Sequence, residues 1–104
     1  MTRWVIGIVL TTLALQPSAA LQPAQGDYVI KDFRFASGET LPELRIHYRT
    51  FGTPKTDARG VVSNAVLIMH GTGGSGAQFV GRNFAGELFG SGQLLDSAQY
   101  FIIL

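Results

Sequence analysis

Apolar side chains are spaced differently in successive stretches of the chain, and the spacing points to the element each stretch forms. Tyr28 to Phe35 is rich in β-branched and aromatic residues and stops at the turn cluster Ala36-Ser37-Gly38-Glu39. Leu44, Ile46 and Tyr48 then alternate with Arg45, His47 and Arg49, the period-2 pattern of a strand with one buried and one wet face. Two such strands about a glycine-containing turn predict an antiparallel hairpin. Gly52-Thr53-Pro54 ends it, and Lys55 to Asn64 forms a polar connection.

Ala65 to Met69 is apolar at every position, as expected of a strand covered on both faces in a parallel sheet. A glycine-rich loop follows. From Gln78 to Phe89, Val80, Phe84 and Leu88 recur every four residues, which predicts a helix with those three on one face. Gly81 and Gly86 cost that helix about 1 kcal/mol each, and Gly90 and Gly92 fit its end. Tyr100 to Leu104 is a second fully apolar strand. Strand, loop, helix and strand in that order predict a right-handed βαβ crossover, so the fold class is α/β. The chain stops inside its last strand with at most one helix to cover the sheet, and the expectation is that it forms the front part of a larger, here truncated, domain.

Composition narrows the function. The 104 residues carry 8 Lys+Arg, 7 Asp+Glu and a net charge of +1, too little to attract nucleic acid. There is no cysteine, which excludes a disulfide scaffold, a Cys-ligated zinc and a thiol nucleophile. No pair among His47, His70 and the acids has the close helical spacing of a metal site. Between Gly60 and Leu104 only Arg82, Glu87 and Asp96 are ionised, so the second half reads as buried interior. Met1-Thr2-Arg3 is a short basic start to a run of twelve residues, Trp4 to Leu15, interrupted only by Thr11 and Thr12. Twelve residues fall short of the roughly 20 that span a bilayer. With Ser18-Ala19-Ala20 behind the run, the pattern is that of a secretory signal peptide cleaved after Ala20. The expected product is a secreted or periplasmic protein with no stable membrane span. Its residues 21–27 would be a flexible N-terminus and residues 28–104 the start of a domain.

The candidate chemistry lies in His70-Gly71-Thr72-Gly73-Gly74-Ser75-Gly76. Eight of the 13 glycines fall between Gly71 and Gly92. A phosphate-binding P-loop needs a lysine after the last glycine, and no lysine follows Lys55. A serine nucleophile at Ser75 would want G-x-S-x-G, and the sequence Gly73-Gly74-Ser75-Gly76-Ala77 lacks the last glycine. Gly71-x-Gly73-x-x-Gly76 matches a dinucleotide fingerprint, but the acid that completes it belongs at the end of the next strand, and Asp96 lies before that strand. The remaining reading is an oxyanion hole, in which backbone N–H groups at the end of a strand receive the negative charge of acyl transfer. His70 reads as a brace for that loop and His47 as a solvated strand position. A dinucleotide-binding fragment and a non-catalytic truncated product stay open as alternatives.

Several separated motifs resemble homoserine O-acetyltransferase and its α/β-hydrolase relatives. They are Ser37 to Pro42, Tyr48 to Thr53, Ser63 to Leu67 with His70, and Leu88 to Gly92 followed by Leu95-Asp96 and Tyr100-Phe101-Ile102. The resemblance spans residues 28 to 104. It implies an α/β-hydrolase fold with the fourth strand lying between the second and third. It also implies a serine acyl-enzyme mechanism on a small-molecule acyl ester or acyl acceptor, with no cofactor. His70, Gly71, Thr72 and Gly73 would form the oxyanion-hole loop, with the Thr72 N–H as donor, and the catalytic triad would lie beyond Leu104. Two features differ from the family. Its loop reads His-Ala-Leu-Thr-Gly, and a signal peptide does not suit a cytoplasmic acetyl-CoA enzyme. Both favour an exported hydrolase or acyl-ester enzyme.

Overall fold

The computed structural model describes residues 21–104, and the leader expected over Met1 to Ala20 lies outside them. Strands β1 (Ala24–Arg34) and β2 (Thr40–Phe51) pair antiparallel, from Ala24 opposite Thr50 to Arg34 opposite Thr40. The predicted hairpin is therefore present, closed by the Gly38 N–H donating to the Phe35 carbonyl at 2.9 Å with Gly38 at φ +95°. It is longer than the alternation suggested. Residues 24–27, expected to be a flexible end, are paired with Thr50 through His47, the last part of β2, which offers them a ladder. Gly26 lies opposite Tyr48, whose ring covers the space where a Cβ would stand. Pro42 has no N–H to give the ladder. Asp32, between paired residues on the opposite strand, takes φ +52° there, a conformation that Asp tolerates better than most residues.

Two short strands complete the sheet. Strand β4 (Phe101–Ile103) pairs antiparallel with β2, Phe51 facing Ile102, and parallel with β3 (Ala65–Leu67), Val66 facing Ile102. The β2–β4 ladder runs one pair further, since Arg49 and Leu104 exchange both backbone bonds at 3.0 and 2.9 Å. The order is β1-β2-β4-β3, with the fourth strand between the second and third as the resemblance implied. The result is a mixed four-stranded sheet with little helix.

The helix expected from Gln78 to Phe89 is not continuous. A 3₁₀ turn covers Gly76–Phe79, and α1 is one turn, Ala85–Leu88. Gly81 lies between the two, and the chain bends there, the Gly81 carbonyl accepting from Phe84 at 3.1 Å, while Gly86 is tolerated inside α1. The aromatics still converge. Phe79 and Phe84 have centroids 4.8 Å apart, Phe84 and Phe89 5.9 Å, and Phe89 and Phe51 5.2 Å. The buried cluster is Phe51, Ala85, Phe89, Ile102 and Leu104, with Val66, Ile68, Leu88 and Leu95 packed on it.

This cluster covers one face of the sheet only. By register, Phe101, Ile103 and Leu67 point to the other face with Tyr28, Ile46 and Tyr48. Leu67 is 63% exposed and Tyr28 62%. The expectation that Ala65 to Met69 is covered on both faces, and that the second half is interior, is thus corrected. The residues are apolar, but no helix lies over that face among the described residues.

Candidate functional site

The glycine-rich loop leaves the sheet at the carboxyl end of β3, beside β4, where parallel strands in α/β sheets place ligands. Both its ends are fixed. Before it, the Ile68 N–H donates to the Ile103 carbonyl at 2.8 Å, extending the parallel ladder by one residue. After it, Gly76 is buried directly against Leu104, and a Cβ there would stand 3.1 Å from the Leu104 backbone carbonyl carbon. Ser75 caps the 3₁₀ turn by accepting from Ala77 N–H at 3.3 Å. Between these anchors the loop is exposed, and Met69 is 78% accessible.

Gly71 to Gly74 forms a tight turn. The Gly74 N–H donates to the Gly71 carbonyl at 3.0 Å, and Gly73, the third residue, has φ +79° while Thr72 does not have a positive φ. That combination is a type II turn, which requires a residue such as glycine at its third position. The His70 ring adds a second bond, Nδ1 to the same Gly71 carbonyl at 2.9 Å. A carbonyl can only accept, so Nδ1 carries the proton. One carbonyl is therefore held twice. The Gly71 C=O and the Thr72 N–H belong to one planar trans peptide and point in opposite directions. Fixing the carbonyl toward His70 and Gly74 aims the Thr72 N–H outward, and among the described residues it has no acceptor.

The structure thus brings His70, Gly71, Thr72 and Gly73 together as one turn. His70 is a brace through one ring nitrogen. Ser75 spends its hydroxyl on the cap, and among the described residues no serine hydroxyl bonds a histidine. The dinucleotide fingerprint does not find its helix, since Gly76 opens a four-residue 3₁₀ turn and is small because Leu104 packs on it. His47 lies on the hairpin, where Nδ1 meets Asp27 at 2.7 Å in a ladder that also includes Arg45, Glu43 and Lys31. The histidine and arginine beside Asp27 hold its carboxyl below the usual range, and Lys31 and Arg45 do the same for Glu43.

Sequence reasoning missed the side chains that hold the loop's frame. Asn64 donates to the Thr53 and Gln99 carbonyls, both at 3.0 Å, and accepts from Lys55 N–H at 2.7 Å. It joins the end of β2, the connection and the start of β4 immediately before β3. The signals were a side-chain amide directly ahead of an apolar strand and its place in the Ser63 to Leu67 motif of the resemblance. Asp96 accepts from the Gly92 and Ala98 N–H groups, both at 2.8 Å, and these bonds lower its pKa. Gly52, at φ +73°, passes so close to the Tyr100 and Ser97 carbonyls that a Cβ would overlap both.

A homoserine O-acetyltransferase of Pelobacter propionicus is 33% identical over 94 residues, covering 83% of this chain and 24% of the relative. One from Moorella thermoacetica is 39% identical over 75 residues, covering 64% and 19%. A probable acyltransferase of Methanothermobacter thermautotrophicus is 45% identical over 47 residues, covering 45% and 15%. The chain therefore spans a quarter or less of the length of these curated relatives. No family model matches it, and no solved structure does. Over more than four-fifths of its length, the chain resembles the homoserine O-acetyltransferase family.

Proposed function

We propose that this chain is the leading part of an exported α/β-hydrolase-fold enzyme that transfers an acyl group from a small ester to water or an alcohol through a serine acyl-enzyme. Its contribution is half of the oxyanion hole. The observation that carries this is the outward Thr72 N–H, held in place by the doubly bonded Gly71 carbonyl. When a nucleophile attacks an ester carbonyl, the oxygen becomes an alkoxide. A donor already aimed at it needs no reorganisation and is worth about 3 kcal/mol. Gly71 and Gly73 set the turn, and His70 keeps the peptide plane from rotating. The similarity to acetyltransferases supports acyl transfer as the reaction class. The His70-Gly71-Thr72-Gly73-Gly74 loop and the leader-like first twenty residues favour an exported ester-cleaving member.

The nucleophile, acid and base come from sequence following Leu104, in the order Ser, Asp, His. A fluorophosphonate probe tests this division. It should leave every serine of the 104-residue chain unlabelled, and label one serine, in a G-x-S-x-G setting, in the protein extended past Leu104. Stoichiometric labelling of Ser75 in the short chain would overturn the assignment. So would an extension with an acid at the end of the next strand and no such serine, which would favour the dinucleotide reading.

A further inference from the structure

The segment from Val80 to Ala98 encloses an open cavity of about 740 Å³ that the acyl-transfer reading does not use. Its lining includes Arg82, Gln93, Asp96 and Ser97 and, from the other end of the described chain, Leu21. Leu21 is half-buried and packs against the cluster built on Phe51, Ala85, Phe89 and Ile102. Its position is constrained, because Ala24 already belongs to the β1 ladder and pairs with Thr50. Three residues reach at most about 10 Å, so Leu21 is held beside this wall.

The cavity wall carries a carboxylate with spare capacity. Each Asp96 oxygen accepts one backbone N–H, from Gly92 or Ala98, and a carboxylate has about four acceptor positions. Arg82 is the other charged residue of the lining. Among the described residues neither has an ion-pair partner.

We propose that this cavity is the seat of the chain's own mature N-terminus. Hydrolysis of the Ala20–Leu21 peptide adds water across the bond, leaving a carboxylate on Ala20 and an ammonium on Leu21. The Leu21 side chain stays on the core, and the new ammonium rests against Asp96, the one anion of the lining, with the like-charged Arg82 elsewhere on the same wall. Before cleavage the same nitrogen is a neutral amide, so the ion pair exists only in the processed protein. The proposal rests on the reading of residues 1–20 as a leader removed on export.

The test uses protein recovered from the extracytoplasmic fraction, first sequenced from its N-terminus and then acylated with a limiting amine reagent. A first residue other than Leu21 refutes the cleavage reading and the ammonium with it. With Leu21 first, the labelling judges the seat alone, and the exposed Lys55, which has no ion pair among the described residues, serves as internal reference. The α-amine of the folded protein should react about tenfold more slowly than in urea, the equivalent of one pKa unit. Asp96→Asn should recover most of that rate. Because Asp96 also holds two backbone N–H groups, Leu21→Ser is the second variant. It removes the anchor at a chain end and should also restore fast labelling. Equal rates in folded and unfolded wild-type protein, or no change in Leu21→Ser, would overturn the seat.

Discussion

The two faces of the sheet are built from neighbouring residues of similar character but differ in burial. On one, Phe51, Ile102 and Leu104 are buried under Phe89 and Ala85. On the other, Leu67, Tyr28 and Ile46 lie open to solvent. Adjacent residues in β3 separate on this basis, since Val66 packs against the cluster and Leu67 does not. Alternation along a strand decides which side chains share a face. It does not decide whether the face is covered. Full burial of a side chain of this size is worth about 1.5–3 kcal/mol, so the covered face holds the fold together and the open face contributes little to it.

The largest expected effect is at the joint between the hairpin and the covered face. Gly52→Ala places a methyl group against the Tyr100 and Ser97 carbonyls at a positive φ. It should cost about 4 kcal/mol or more, visible as loss of a cooperative thermal transition. Phe89→Ala opens a cavity under Phe51 and Phe84 and should cost about 3–5 kcal/mol, whereas Leu67→Ala should stay within about 0.5 kcal/mol. Equal costs in denaturant melts would break the contrast between the faces.

A charge sharpens it further. The open face is apolar, and β3 has no strand on its far side among the described residues, a combination that promotes edge pairing and association. The isolated 21–104 chain should therefore self-associate in size-exclusion chromatography. Leu67→Lys should shift it toward monomer while keeping its fold. Val66→Lys, one residue earlier, directs its charge into the cluster and should unfold the chain instead. If both variants behave alike, the assignment of faces is wrong.

The smallest effect concerns pH. Asp96 and Asp57 have lowered pKa values because backbone N–H groups bond their carboxylates, Asp27 because of His47 and Arg45, and Glu43 because of Lys31 and Arg45. A carboxylate with a lowered folded-state pKa contributes stability above its unfolded pKa and loses it as pH falls through the folded value. The melting temperature should be level above about pH 5, where unfolded carboxylates are ionised, and fall in stronger acid. Asp27 is exposed and the other three are only half-buried, so the slope should be shallow. A melting temperature that rises on acidification would contradict the assignment.

How much of this was legible in sequence depended on whether the deciding contact was local. The hairpin was legible because period-2 alternation and a Ser37-Gly38 turn are local signals. Its start at Ala24 was not, since Ala24 to Asp27 show no alternation of their own and are in the ladder because Thr50 to His47 lie opposite them. The Val80, Phe84, Leu88 spacing correctly grouped residues that converge near the core but named the wrong element, because Gly81 lets the chain bend where a helix would continue. The strand order came from family resemblance, as no periodicity specifies which strands pair. The His70 to Gly73 loop was located by its glycines. What the letters could not show was the Gly71 carbonyl accepting two bonds, which gives the Thr72 N–H its direction.

That direction is most directly tested by Thr72→Pro in the active, extended enzyme. Proline is favoured at the second position of a type II turn, so the substitution keeps the loop shape and deletes only the N–H. With the melting temperature unchanged, kcat for ester turnover should fall about 100-fold or more, while Thr72→Ser, which keeps the N–H, should retain it. A Thr72→Pro enzyme that folds normally and turns over at the wild-type rate would contradict the assignment of this loop to the oxyanion hole.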